Sequence, residues 1–427
     1  MRAELPLLAL LLSAAPAAAA PAAEAWPLDE ATTVVLVEDH RAPLVSVELE
    51  LPAGRWSPWL REQHAEEAFE ISFHDSAGVL RRKADLLGVT LELSAGRRSA
   101  ILKVECLKED LDGALGLVRD VLANRDLDRR ELKRRRTGRK IEWERSQKEP
   151  GFRARQALAR ALFAPGDPRR QEVEKPEPLL TEVPRLVEAR DALVRLPGRA
   201  IGFAGDLTRA EAERAASGLL PPAGSRPAEL ELALGPVSPP GDERNVTVEL
   251  PRLTQVTFAY GRDSLPYGVP DYPAFLVADH VLGGHFYSRL LTALRHEGGE
   301  TYGATTRNLG DIAPGPYSMG TFTRAPNADA AEGKLREVLR VFHEKGITED
   351  ERAAAAGSLL GARLFEKQSP RNVLERYLRE RRLGLPPGFF DDAAERASRL
   401  SLDEINRFIS RYYDPSAFGM VRVAPER

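Results

Sequence analysis

The chain of 427 residues holds a single cysteine, Cys106, so no intramolecular disulfide can form. Cys106 alternates with Val104 in a strand-like run and reads as a small buried hydrophobe, which leaves disulfide content silent on the compartment. Net charge is scarce too. With 61 Lys and Arg against 64 Asp and Glu the balance is −3, which gives no bulk attraction to nucleic acid or to an anionic membrane. Beyond the N-terminus no segment is long and apolar enough to span a bilayer. There is no P-loop, no dinucleotide fingerprint, no CxxC pair and no Ser-His-Asp grouping, which removes the commonest nucleotide, redox and acyl-transfer sites. The 7 histidines are scattered, and only His64 and His74 stand near acidic residues in a helical stretch.

What is present is ample core material. A hydrophobic share of 43% beside 29% charged residues is ordinary for a globular protein, and the length suits two domains of roughly 200 residues each. The N-terminus opens Met1-Arg2 and runs through LPLLALLLSAAPAAAAPAA, a short apolar stretch grading into small residues. That is the form of a cleavable secretory signal over residues 1–22, with cleavage near Ala19 to Ala23, and it points to an exported, periplasmic protein.

Along the chain, Thr32 to Leu51 alternates as two strands around a turn at His40-Arg41-Ala42-Pro43. Arg61 to Ser72 and Val79 to Leu87 read as helices, and Val89 to Leu107 as strand, turn, strand. Lys108 to Ala123 has helical spacing, with Leu111, Leu115, Val118 and Leu122 on one face. Leu127 to Ser146 is a long charged helix whose basic run RRELKRRRTGRK reads as a solvated face rather than a nucleic-acid site. A helix after Pro150, a strand over Leu193 to Gly205 and a helix over Thr208 to Gly218 complete the first half. The Pro/Gly-dense segment 219–245 reads as a linker, and the same order then restarts. Strands over Val246 to Gly261 lead to a helix at Tyr272 to Leu282 and a strand over Ala313 to Thr323. Helices follow at Ala330 to Lys345, Glu349 to Phe365, Pro370 to Leu383 and Leu402 to Tyr412. The last is capped by Ser401 with Glu404 three residues on, and the chain closes on the strand AFGMVRV. The pattern gives two similar α+β domains, 24–218 and 246–427, each a mainly antiparallel β-sheet packed against helices, with internal duplication in plan.

The stretch Val281 to Gly303 carries the first chemical signal. Glycine pairs at Gly283-Gly284 and Gly298-Gly299 bracket a short amphipathic segment, and Arg295 is followed seven residues later by Tyr302 across the second pair. A guanidinium and a phenol at one helix-to-strand junction can grip a carbonyl oxygen or a carboxylate. The second signal is His64-Ala65-Glu66-Glu67-Ala68, which invites comparison with H-x-x-E-H, two zinc-binding histidines with a glutamate that activates water. Here the second histidine is Ala68. A catalytic zinc needs three protein ligands and an open position, and even with Glu142 or Glu144 brought in from the long helix the set is one short. His74 falls out of helical phase with His64.

The run LGGHFYSRLLTALRHEGGETYG, together with GITEDE opening a helix and YYDPSAF near the end, closely resembles the C-terminal half of the pitrilysin/insulinase family. These are inverted-zincin metallopeptidases and their mitochondrial processing peptidase relatives. The match runs over Val246 to Val423. The N-terminal half is similar in plan: APLVSVELELPAGRWSP resembles the first strand pair, DLLGVTLELSAG the next helix-strand junction, and RRELKRRRTGRKIEWERSQKEP the helix of the third zinc ligand, which counting back from Pro150 puts at Glu142. The metal motif departs from the family. Aligned on the histidine it keeps His64 and Glu67 but has Ala68; aligned on the distance from Gly54 it becomes Glu67-Ala68-Phe69-Glu70-Ile71 and keeps only the general-base position, at Glu70. Either alignment leaves zinc unligated.

The resemblance implies that Arg295 and Tyr302 are the family's pair for the substrate's backbone carbonyl, and that Arg289 is structural, paired with a carboxylate or a helix end. It further implies an exported zinc-less subunit, with no cofactor in this chain. A zinc-bearing homologous partner would share an extended peptide substrate with it. A non-enzymatic peptide-binding scaffold of the cell envelope and an active metallopeptidase with an atypical zinc site remain as alternatives.

Overall fold

The computed structural model describes residues 21–178, 180–227, 232, 234–237, 244–299 and 301–426. Nearly all of the expected signal segment and part of the expected linker lie outside them. No helix among the described residues is long and apolar enough to cross a membrane.

The β-branched runs become strands, as their stiff χ1 preferences favour. In the first half these are β1 (Ala23–Pro27), β2 (Thr32–Glu38), β3 (Leu44–Leu51), β4 (Thr90–Ala95), β5 (Ala100–Leu107) and β6 (Arg199–Gly205). In the second they are β7 (Val246–Leu250), β8 (Gln255–Asp263), β9 (Ala304–Asn308), β10 (Pro316–Arg324) and β11 (Gly419–Pro425). The first sheet runs β1-β2-β6-β3-β5-β4 and the second β7-β11-β8-β10-β9. Without β1 the two orders are the same: the first strand of each half lies beside its fifth, then come the second, fourth and third. That outer pair is parallel in both sheets and the other pairs are antiparallel. The duplication read from the pattern is therefore present in the topology.

Each sheet has its own core on one face and receives a helix from the other half on the opposite face. Helix Pro150–Leu162 lays Ala154, Ala157, Leu158 and Leu162 against Ala259, Val421 and Val423 of the second sheet. Helix Pro370–Arg382 returns the exchange, packing Leu374 and Leu378 on Val35, Val37, Ala200 and Ala204 of the first sheet. Proline in the first turn of each helix costs no hydrogen bond and presets the backbone. The approach is close enough to need glycine beneath it. A Cβ on Gly202 would lie 2.7 Å from Leu374 Cδ1, and one on Gly261 would lie 2.8 Å from Leu158 Cδ2. Ion pairs add to the exchange: Arg98 forks onto Asp311 at 2.8 and 3.0 Å, and Arg382 donates to Glu50 at 2.9 Å.

Three local expectations need correction. The single helix over Arg61 to Ser72 is two short helices, Pro58–Glu62 and Ala65–Ile71, broken at His64, whose φ of 52° is left-handed. Thr301 and Tyr302 precede the strand rather than enter it, since β9 starts at Ala304. Helices Val183–Val194 and Phe389–Arg399 were not anticipated. The first buries the whole of Arg190, and the second buries mainly alanines after Phe390.

Candidate functional site

A cavity of about 1680 Å³ lies between helices of the first half and the second sheet, and its wall gathers the residues of the metal-motif comparison: His64, Glu67, Glu70 and Glu142. Helix Arg129–Ser146 supplies a stripe to this wall, Arg135, Gly138, Arg139, Glu142 and Ser146, which recur at three- and four-residue steps. The long helix is therefore more than a solvated face. Arg135 and Arg139 of that stripe find acidic partners across the cavity.

Those partners are the motif carboxylates. Arg139 is ion-paired to Glu67, and Arg135 donates to Glu70 at 3.0 Å and to Glu131 at 3.0 Å. Glu66 faces Arg55 at 3.9 Å. Burial pushes the Glu66 carboxyl up to about 7, with Arg55 pulling the other way. Burial also lowers the His64 imidazole, and the charges of Arg139 and Arg185 lower it further, so the ring is held neutral. Its Nδ1 is 4.0 Å from Glu67 Oε2, beyond hydrogen-bonding reach.

Zinc does not fit this arrangement. The fifth motif position is Ala68 in one alignment and Ile71 in the other, and both are 0% exposed within the first-half core. His64 sits outside the helix that should carry it in phase with a second ligand. Two of the carboxylates that would approach a cation, Glu67 and Glu70, already hold guanidinium groups. Among the described residues no three His, Cys, Asp or Glu side chains converge in a way that could hold a metal ion.

Arg295 and Tyr302 lie elsewhere. Arg295 sits in the wide helical turn Thr292–Glu297, exposed, with its guanidinium 5.2 Å from the ring centre of Phe286. Tyr302 is 76% exposed and so is no core aromatic; neither residue lines the cavity. Around them the surface is aromatic: Phe286 is 52% and Tyr287 78% exposed, and Tyr287 stacks on His296. Arg289 is structural, as the resemblance implied. It forks onto Glu351 at 2.7 and 2.6 Å, and Glu351 also closes the capping box with Thr348.

Comparison with known proteins bears on this geometry. Residues 199–359 match the sequence profile described as the Peptidase M16 inactive domain. Through that segment the chain is similar to the M16 peptidase family. The resemblance read from Val281–Gly303 is thereby borne out. A curated relative, the non-peptidase homolog YmxG of Helicobacter pylori, is 29% identical over 134 residues, which is 31% of this chain and 31% of that protein's length. Three solved structures share the fold. The M16 inactive-domain structure from Pseudomonas fluorescens superposes with a TM-score of 0.78 at 20% identity, covering 95% of this chain and 98% of that one. A protease from Helicobacter pylori gives 0.78 at 13% identity over 95% and 100%. The periplasmic protease PqqL of Escherichia coli gives 0.75 at 14% identity, covering all of this chain but 49% of its own. The two-sheet α+β plan is thus that of M16-like proteins.

Sequence reasoning missed Arg135 and Arg139. The signal was there: Glu131, Arg135, Arg139 and Glu142 step along one helix face, a charge stripe too regular for random surface.

Proposed function

We propose that this chain is a non-catalytic, zinc-less M16-type subunit that binds an extended peptide for a zinc-bearing homologous partner. The observation that carries the reading is the pairing of Arg139 with Glu67 and Arg135 with Glu70 where a metal would have to sit. A motif whose carboxylates are neutralised by guanidinium groups has no means of activating water. The exposure of Arg295 and Tyr302, both outside this chain's own cavity, supports a role toward a second chain. In that role the Arg295 guanidinium and the Tyr302 hydroxyl donate to a backbone carbonyl of the peptide, orienting it and favouring an oxyanion by about 2–4 kcal/mol. Export to the periplasm is part of the proposal. It rests on the N-terminal apolar segment and agrees with the periplasmic setting in the PqqL name.

The test is reconstitution. Peptide cleavage by a purified zinc-bearing homologue from the same genome is measured with and without this chain. Stimulation that disappears with Arg295→Ala and Tyr302→Phe is the expected result. Wild-type stimulation by both variants removes the assigned role, and peptide binding with no effect on turnover turns the assignment to a non-enzymatic scaffold.

A further inference from the structure

The cavity wall holds twelve basic side chains against nine acidic ones. Most are committed to one another: Arg97 to Glu172, Arg160 and Arg170 to Glu174, Arg55 to Glu66, Arg139 to Glu67. Two are not. Arg155, on the exchanged helix Pro150–Leu162, and Arg307, on β9, make no hydrogen bond or ion pair among the described residues; Arg155 only overlies the Phe152 ring at 5.6 Å.

Their placement follows from register. Arg307 pairs across the sheet with Ser318, and Ser318 pairs in turn with Gly261, so the three share one face. That face receives the exchanged helix, because Leu158 lies over Gly261. Arg155 precedes Leu158 by three residues, one turn along the helix. Arg155, Leu158, Arg307 and Ser318 all line the cavity. One guanidinium thus comes from each half of the chain, beside a serine hydroxyl, with the wall open to a ligand. The mutual repulsion is felt: burial first and Arg307 second lower the Arg155 pKa, against an opposing pull from Glu149. Like charges kept together without a shared counter-ion mark a place where an anion is the missing partner.

We propose that Arg155 and Arg307 form a carboxylate-binding site in this wall, so that the peptide taken into the cavity is an acidic one. The inference rests on the peptide-binding reading above and names its substrate class. A forked guanidinium binds a carboxylate with two parallel hydrogen bonds, and two such groups select for negative charge at one point of an extended chain. The carboxylate can be an acidic side chain or the peptide's own C-terminus.

Binding to the isolated full-length chain separates these cases. Three fluorescein-labelled peptides of one length are used in fluorescence anisotropy at low ionic strength: a C-terminally amidated peptide with Glu at alternate positions, its amidated Gln counterpart, and the Gln peptide with a free C-terminal carboxylate. The amidated Glu peptide is expected to bind at least about tenfold tighter than its amidated Gln counterpart. Arg155→Gln and Arg307→Gln should each abolish that preference, whereas Arg119→Gln, an equal charge change on the outer surface, keeps it. Thermal unfolding of the two cavity variants should be unchanged or raised, since a repulsion is removed. Tight binding of the free-carboxylate Gln peptide alone supports the site and assigns it to the chain terminus. Equal binding of all three, or variants matching Arg119→Gln, overturns the carboxylate site and leaves peptide binding intact. Binding of none overturns both.

Discussion

The Arg139 guanidinium is ion-paired to Glu67 across the cavity, so a side chain of the long helix supplies the positive charge that the motif carboxylate faces. One turn earlier Arg135 does the same for Glu70. Restoring the missing histidine should therefore not restore metal binding. Calorimetric zinc titration of Ala68→His is expected to show no stoichiometric uptake, because position 68 points into the core and His64 is out of helical phase. Uptake of one zinc per chain would remove the argument that the site has been rebuilt around guanidinium groups.

Glu66 makes the fold sensitive to pH. Its carboxyl is raised to about 7, above its ordinary value, so the folded chain holds that proton more tightly than the unfolded one. The resulting stability is fully present below the ordinary carboxylate range and is lost as pH rises through about 7. Glu50, raised to about 7 mainly by burial, acts in the same window. Glu66→Gln should raise stability by about 2–3 kcal/mol at mildly alkaline pH and change it little near the unfolded pKa. Urea denaturation at both pH values measures this, and a gain that does not depend on pH would contradict it.

Glu351 serves two structures at once, the capping box of helix Glu349–Glu366 and the fork from Arg289. Arg289→Ala should cost about 1–2 kcal/mol, and Glu351→Ala more, because it removes the cap as well. A double-mutant cycle is expected to return a coupling of about 1 kcal/mol or more. Additive losses would mean the fork contributes nothing.

Leu374 belongs in sequence to the second half and in space to the first sheet. Leu374→Ala should destabilise by about 2–5 kcal/mol, as a large-to-small core change does. The loss of amide exchange protection should appear in β2 and β6, not only in the helix that carries the change. Protection lost from the second half alone would count against the exchange.

The fold was legible where periodicity and caps coincide. The capping box at Ser401 and Glu404, the stripe Leu335, Leu339 and Phe342, and the alternation of β3 all lie where their spacing puts them. Helix Val183–Val194 was not legible, because it turns Arg190 inward to donate to the Asn124 carbonyl and to Asp191, and a buried arginine looks like a surface residue in any pattern. The break at His64 was hidden for a related reason: no glycine or proline announces a left-handed residue there. At the site, the motif comparison named His64, Glu67, Glu70 and Glu142, which the structure puts in the wall of one cavity, but the identity of their partners depends on which face a long charged helix presents. The Arg155–Arg307 pair is set by packing between halves far apart in sequence, so it could not be read from spacing alone.

The reciprocal loan of helices has a consequence for motion. If the halves swung apart as rigid bodies, Leu158 would be dragged off the second sheet and Leu374 off the first, exposing two apolar faces to water in a single step. Each half is in effect bolted through the other, so the cavity does not open at the seam between them.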